Sequence, residues 1–383
     1  MRLINAAGRQ LAGALDGAVV QHVITPPAHR RGKAESLSHV PRMEGLAMIA
    51  RFYEEAMALS PDTDAFTRLP AVVPREKHVR AEDGFEVVDL RWDSGFEALW
   101  SDEEALRRLD GMDIEPDAKL RLIASAEHAP TRGYDQVPEN RAMHVRWFRH
   151  NEGPRPCAIL IHGFMSGNFR IEEAVWPVRT FLEGGMDVLL TTLPLHGRRI
   201  DPKRRMVPPR FPDSDPRLAV EGFRHMAHDH LSLIDYLLDG RATSVGVAGM
   251  SLGGYSAALL STLEPRLRFG IFDIPLSCIA DFARGSGRMV GTDEQQELQT
   301  EALRKAYSII SPLSRPSLLP DGKSLVIAGE ADLVTGIGQA RKLADHFDAQ
   351  TSTFPGGHLI QLGKSTAFEP AWQMLRDAGV YDR

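Results

Sequence analysis

The stretch SVGVAGMSLGG, residues 244–254, decides the fold of this chain. Its first part is a short apolar run that predicts a buried strand, and its glycine-rich end predicts a sharp turn into a helix. Gly249 and Gly253 stand two residues on either side of Ser251, because only residues without a side chain leave room for a serine on so tight a turn. We therefore expect the Ser251 hydroxyl to project from a strand end, near the positive end of the following helix.

Similar apolar runs recur after residue 156 and alternate with longer stretches of helical spacing. The apolar runs are 157–162, 187–194, 244–250, 269–274 and 324–329, and the helical stretches are 171–185, 218–240 and 253–264. Continuous apolar runs joined by helices are typical of buried parallel strands with crossover connections. The sequence therefore predicts an α/β protein with a doubly wound, mostly parallel sheet.

The chain before residue 156 has a different character. Residues 85–92 and 142–150 alternate apolar and polar side chains, as half-buried strands do. Residues 1–75 have helical spacing and no chemical motif, so we expect a helical N-terminal extension packed on a catalytic domain of residues 76–383.

A serine hydroxyl needs a base to take its proton and an acid to orient that base. Asp332 follows the apolar run 324–329, and His358 follows a short strand-like run at 350–354, in the glycine-rich loop PGGH. Glu330 competes with Asp332 as the acid but lies nearer the strand end, and His346 competes with His358 but lies on an apparent helix. The preferred triad is Ser251, Asp332 and His358, in that chain order.

The segment Ile161-His162-Gly163-Phe164-Met165 also follows a buried strand. Gly163 lets the backbone turn, so we expect the amides of Phe164 and Leu252 to form an oxyanion hole, each donor being worth about 3–4 kcal/mol in the transition state. Weaker candidates for substrate contacts are Met165 and Phe169, and His196 on the loop after the next strand.

On these motifs, residues 156–383 resemble the α/β-hydrolase superfamily, and within it bacterial serine esterases and the dienelactone-hydrolase and acyl-peptidase-like branch. The resemblance implies an acyl-enzyme: Ser251 attacks a carbonyl, His358 moves the proton, Asp332 orients the imidazole and water releases the acid. Two connections, 197–216 and 279–314, are long enough to be a lid over the site.

Other partners and cofactors are less favoured. The helical stretch 218–240 contains His225, His228, Asp229 and His230, but their spacing matches no strong metal motif, and we expect a partly buried or solvated helix surface and no metal. Lys+Arg 45 against Asp+Glu 51 gives a net charge of −6, which offers no basic surface for nucleic acid. A homo-oligomer remains compatible with the sequence.

Two cysteines in 383 residues are too few for a disulfide framework, and no apolar run reaches the length of a membrane-spanning helix, so we expect a cytoplasmic protein. The predicted function is a serine hydrolase of carboxylic esters that needs no cofactor and acts on a small-molecule acyl ester. The alternatives are a thioesterase, a lipid acyl hydrolase or a peptidase with the same fold, and a binding module without catalysis.

Overall fold

The computed structural model describes residues 2–20, 39–58, 65–99, 137–205, 207–213 and 215–382. The strands are β1 Arg75–Glu82, β2 Phe85–Asp93, β3 Ala142–His150, β4 Arg155–Ile161, β5 Asp187–Thr191, β6 Ala242–Met250, β7 Leu267–Asp273, β8 Ser324–Gly329 and β9 Gln350–Phe354. The α-helices in these ranges are α1 Arg2–Val19, α2 His39–Ala58, α3 Phe169–Val175, α4 Val178–Glu183, α5 Pro216–Leu238, α6 Leu252–Ser261, α7 Ile279–Gly285, α8 Asp293–Ala306, α9 Gly336–Phe347, α10 Lys364–Ala367 and α11 Glu369–Asp377.

All nine strands belong to one sheet in the order β1-β2-β3-β5-β4-β6-β7-β8-β9. The pairs β1/β2, β2/β3 and β3/β5 are antiparallel, and every pair from β5 to β9 is parallel. The predicted doubly wound, mostly parallel sheet is therefore confirmed, and the alternating segments before residue 156 form its antiparallel edge.

Helices cover both faces of the sheet, and successive side chains of a strand point alternately into the hydrophobic core on either face. In β4, Cys157, Ile159 and Ile161 point into one hydrophobic core, while Ala158 and Leu160 point into the other. The first core also contains buried residues of α5, α6 and α9, and the second contains those of α4 and α11. A strand buried on both faces needs no polar positions, and this explains its continuous apolar run.

The parallel register brings the carboxyl ends of the central strands to one edge. Ile161 of β4 pairs with Gly249 of β6, and Met250 at the end of β6 pairs with Asp273 at the end of β7. Loops leaving β4, β6, β7, β8 and β9 therefore emerge side by side, and Gly163, Ser251, Asp332 and His358 lie on four of them.

The N-terminal helices pack on the same body. Phe52 and Tyr53 of α2 belong to the larger core, and the Tyr53 hydroxyl donates to Glu221 of α5 at 2.7 Å. Helix α2 also packs on α8, with a hydrogen bond of 3.2 Å between Gln299 and His39. The division at residue 75 remains a prediction, and α2 of the extension shares the core of the sheet.

The two long connections contain short helical elements. Residues 197–199 and 202–204 form 3-10 turns in the first, and α7, α8 and the 3-10 turns Ser308–Ile310 and Pro312–Ser314 lie in the second. Their role as a lid remains a prediction.

Candidate active site

Ser251 occupies a strained turn between β6 and α6. Its backbone has φ 56° and ψ −113°, a conformation that non-glycine residues rarely adopt, and such strain costs on the order of 1–3 kcal/mol. The Ser251 amide donates to the Asp273 carbonyl at 2.9 Å, which fastens the turn to the end of β7. Because Ser251 is the N-cap of α6, its hydroxyl lies at the positive end of that helix.

The two glycines around Ser251 are required by close backbone contacts. A Cβ on Gly249 would lie 2.0 Å from the Gly253 carbonyl oxygen, and a Cβ on Gly253 would lie 2.0 Å from the Ile161 carbonyl oxygen. The turn is therefore closed on itself and also pressed against the end of β4. Any larger residue at either position would have to move the backbone that holds Ser251.

The structure brings Ser251, His358 and Asp332 together in a hydrogen-bonded row, with His358 in the middle. His358 Nε2 lies 3.0 Å from Ser251 Oγ, and His358 Nδ1 lies 2.8 Å from Asp332 Oδ2. The three residues come from the loops after β6, β9 and β8, so three separate strand ends supply them. With Nδ1 donating to the carboxylate, Nε2 accepts a hydrogen bond from the Ser251 hydroxyl.

Asp332 is held as an ionised acceptor. Burial opposes its charge, but hydrogen bonds from His358, from the Thr335 hydroxyl at 2.7 Å and from the Val334 amide at 2.8 Å outweigh burial and lower the pKa of Asp332 below its ordinary value. The charged form therefore persists throughout the neutral range, where it fixes the orientation of the imidazole.

The loop after β4 lies against the nucleophile. A Cβ on Gly163 would lie 3.5 Å from the Ser251 Cβ, which places the backbone of Gly163 beside the serine. His162 braces this loop: its Nε2 accepts from the Leu193 amide at 3.0 Å, so its Nδ1 carries the proton and donates to the Gly163 carbonyl at 2.7 Å. His162 thus has a bracing role.

Glu172 of α3 holds the other end of that loop. Its buried carboxylate accepts from the Ser166 hydroxyl and from the Gly167 amide, the latter at 3.0 Å. This anchoring residue was not found in the sequence, where an acid three residues into a helix looks like ordinary helix capping.

The weaker substrate-contact candidates have unequal positions. Met165 is exposed and has a positive φ of 63°, next to the oxyanion loop. His196 is buried against the Phe164 ring, and burial lowers its pKa to about 3, so it stays neutral. Phe169 is also buried, with the guanidinium groups of Arg146 and Arg198 against its ring, so this placement gives Phe169 no open surface for a substrate.

The two competing acid and base candidates lie elsewhere. Glu330 forms an ion pair with Arg9 of α1 at 2.9 Å, and His346 Nε2 lies 2.7 Å from the carbonyl oxygen of Arg315. Neither takes part in the row of Ser251, His358 and Asp332.

The histidine-rich face of α5 is wholly buried, so the expectation of a partly buried or solvated helix surface is wrong. Asp229 forms an ion pair with Arg199 at 2.7 Å, Arg199 lies 2.7 Å from His225 Nε2, and His228 lies 2.8 Å from the Ser94 carbonyl oxygen. Among the described residues, no group of three or more histidine, cysteine or acidic side chains has an arrangement suited to a metal ion.

Two further charged groups at the site were missed from the sequence. Asp16 of α1 accepts from the backbone amide of His358 at 2.6 Å. Lys364 Nζ lies 2.5 Å from the buried Asp273 carboxylate, and burial raises the pKa of Asp273 in spite of this lysine. No local pattern marks either pair, because the partners are joined only by the packing of distant segments.

Sequence comparison finds relatives of part of the chain. No protein-family model matches the chain. Uncharacterised proteins from two strains of Mycobacterium tuberculosis are each 31% identical over 230 residues, a match that covers 57% of this chain and 53% of the relative. The chain thus spans about half the length of the curated relatives it matches.

Two solved structures resemble most of the chain. An acetyl xylan esterase from Paenibacillus sp. R4 has a TM-score of 0.52 at 14% identity, covering 87% of this chain and 94% of its own. Acetyl xylan esterase 1 from Thermoanaerobacterium sp. JW/SL YS485 has a TM-score of 0.51 at 16% identity, with coverages of 86% and 93%. The chain has the α/β-hydrolase fold, and the predicted resemblance is confirmed at the level of fold.

Within the described part of the chain, no helix combines the length and the apolar character needed to traverse a bilayer.

Proposed function

We propose that this protein is a serine hydrolase that cleaves carboxylic esters through an acyl-enzyme on Ser251. The observation that carries the proposal is the hydrogen-bonded row in which Ser251, His358 and Asp332 meet at 3.0 and 2.8 Å. This arrangement matters because His358 Nε2 faces Ser251 and His358 Nδ1 faces Asp332. The serine proton can therefore pass to Nε2 while the carboxylate holds the opposite side of the ring.

The chemistry follows from that arrangement. Ser251 Oγ attacks the ester carbonyl while its proton passes to His358 Nε2, and Asp332 stabilises the imidazolium. The developing oxyanion would be met by the amides of Phe164 and Leu252. Collapse breaks the bond to the alcohol, which leaves with the proton from His358. Water then attacks the acyl-enzyme by the same route and releases the acid and free Ser251.

Each step uses only groups of this chain and water, so the proposal requires no cofactor. The two esterases of similar fold favour an ester over other acyl substrates. We propose a small-molecule ester with a small to medium acyl group, a lid formed by 197–216 and 279–314, and a cytoplasmic location.

A fluorophosphonate probe tests the nucleophile directly. We expect the wild-type protein to be labelled, and we expect Ser251→Ala to lose the label while keeping its fold. Ser94→Ala is a matched control, since Ser94 also lies beside a histidine and an aspartate but is buried. A well-folded wild-type protein that takes no label would favour the binding module instead.

A substrate panel then separates the hydrolase classes. We expect hydrolysis of short p-nitrophenyl esters by the wild type and none by Ser251→Ala. Cleavage of acyl-CoA or of peptide amides, with short esters untouched, would replace the ester by a thioester or an amide while leaving the nucleophile in place.

A further inference from the structure

Asp16 is a buried carboxylate on the N-terminal helix α1, and it lies against the two loops that carry the acid and the base. Its side chain is fully enclosed. Its Oδ2 accepts from the His358 amide at 2.6 Å and from the Leu333 amide at 3.3 Å, and its Oδ1 accepts from the Leu359 amide at 3.0 Å. One side chain therefore holds the residue after Asp332 and also His358 itself.

These bonds explain why a charged group is tolerated there. A buried carboxylate is strongly destabilising unless hydrogen-bond donors replace water, and here backbone amides from two loops do so. The same bonds fix the distance between the loops, which is the distance over which His358 Nδ1 meets Asp332.

Gly357 makes this approach possible. A Cβ on Gly357 would lie 2.6 Å from Asp16 Oδ2, closer than a side chain is allowed to come. This contact explains why the second residue of the PGGH loop is a second glycine: it leaves room for the carboxylate of Asp16 on α1.

Other contacts seat α1 on the acid loop. Arg9 forms an ion pair with Glu330, and side chains on Gly13 and Gly17 would contact the Leu333 side chain at about 4 Å. These distances are ordinary van der Waals contacts, so this face of α1 lies directly against the acid loop.

We propose that Asp16 is a positioning residue for catalysis, and that α1 is thereby part of the active site. Asp16 locks the His358 loop to the Asp332 loop through the three backbone amides that donate to its carboxylate. This inference rests on the proposed function for its kinetic consequence, whereas its geometric consequence can be measured without turnover.

The test compares Asp16→Asn with Arg9→Ala, which removes one exposed ion pair of α1 and leaves every hydrogen bond of Asp16 in place. Asp16→Asn removes the charge and sets an amide group against backbone donors. With p-nitrophenyl acetate, we expect kcat to fall about 10- to 100-fold at nearly unchanged KM, because the base is misplaced while the binding surface stays. Arg9→Ala should keep both values.

A second readout does not depend on hydrolysis. The low-field proton resonance of the bond between His358 Nδ1 and Asp332 should be present in the wild type and Arg9→Ala, and lost or shifted in Asp16→Asn. If the wild type hydrolyses no ester, the proposed function fails, and this resonance still decides the role of Asp16.

A double-mutant cycle distinguishes loss of the Asp16 contacts from general misfolding. Gly357→Ala should lower kcat by pushing against the carboxylate, but it should add little to Asp16→Ala, where the carboxylate is absent. If Asp16→Asn keeps both kcat and the resonance, and only its melting temperature falls, then Asp16 is a structural residue and the inference is wrong.

Discussion

Among the described residues, two clusters combine serine, histidine and aspartate side chains, and their hydrogen bonds are arranged differently. We call them the edge triad, made of Ser251, His358 and Asp332, and the buried cluster, made of Ser94, His225, Asp229 and Arg199. Both contain hydrogen-bonded side chains of the same three types. They differ in which atom faces which, and in access from outside.

In the buried cluster the serine proton points to the acid instead of the histidine. The Ser94 hydroxyl donates to Asp229 at 2.5 Å, although His225 Nε2 lies only 2.9 Å from the same hydroxyl. Arg199 lies 2.7 Å from both Asp229 and His225. Burial, opposed by Asp229 but reinforced by Arg199, lowers the pKa of His225 to about 3, and a ring with that pKa cannot accept a proton from serine.

The edge triad has the opposite arrangement. Among the described hydrogen bonds of the His358 ring, none comes from an arginine. The ring nitrogen Nδ1 faces Asp332, and Nε2 faces Ser251. The comparison teaches that residue types do not define a catalytic site. The order of the contacts and the position of the cluster relative to the strand ends do.

Replacing the two histidines should give the largest contrast. We expect His358→Ala to lower kcat by about 10⁴-fold or more, because no base remains for Ser251, and to keep a cooperative unfolding transition. His225→Ala should keep kcat within a few-fold per folded molecule and lose stability. Ester hydrolysis and thermal unfolding of both variants measure this, and a catalytic loss in His225→Ala as large as in His358→Ala would undo the distinction.

The two aspartates should separate activity from stability. Asp332→Asn is expected to lower kcat by about 10²- to 10³-fold with a small change in the free energy of unfolding, because the imidazole loses its orienting charge. Asp229→Asn should keep kcat but lower the free energy of unfolding by about 3–5 kcal/mol, because it leaves Arg199 as an uncompensated buried charge.

Denaturant titration and ester hydrolysis, done on the same preparations, check both halves of that contrast. A stable Asp229→Asn protein would mean that water reaches Arg199, and an active Asp332→Asn protein would mean that another group orients His358.

The smallest expected effect is in the dependence of stability on pH. His225 has a folded-state pKa of about 3 against 6.5 when unfolded, so between these values the unfolded chain binds a proton that the folded chain refuses. Stability should therefore fall as the pH drops below 6.5. His225→Ala should reduce the slope of the free energy of unfolding by up to about 1.4 kcal/mol per pH unit in that range, as measured by denaturant unfolding at several pH values. An unchanged slope would show that His225 is protonated in the folded protein.

Much of the fold was readable from local pattern. The apolar runs after residue 156 became β4 to β8, and the alternating segments became β2 and β3. A strand buried on both faces gives a continuous apolar run, and a strand buried on one face gives an alternating pattern. The turn at Ser251 was readable for a similar reason, since its two glycines are imposed by contacts within a few residues and with one neighbouring strand.

The histidine-rich face of α5 was misread because its partners are distant. Ser94 and Arg199 come from a strand end and a 3-10 turn far from α5 in the chain, and only their packing turns a polar helix face into a buried network. Phe169 has the same explanation, since arginines from β3 and from the loop after β5 cover it.

The sequence by itself determined the sheet, the strained serine turn and the order of the candidate acid and base, because these depend on side-chain periodicity and on short-range backbone crowding. Only the tertiary structure decided which histidine meets which acid, which cluster is buried, and that a helix 342 residues before His358 supplies a carboxylate to its backbone. Those outcomes depend on how loops and helices pack at the strand ends, and packing between distant segments leaves no periodic trace in the chain.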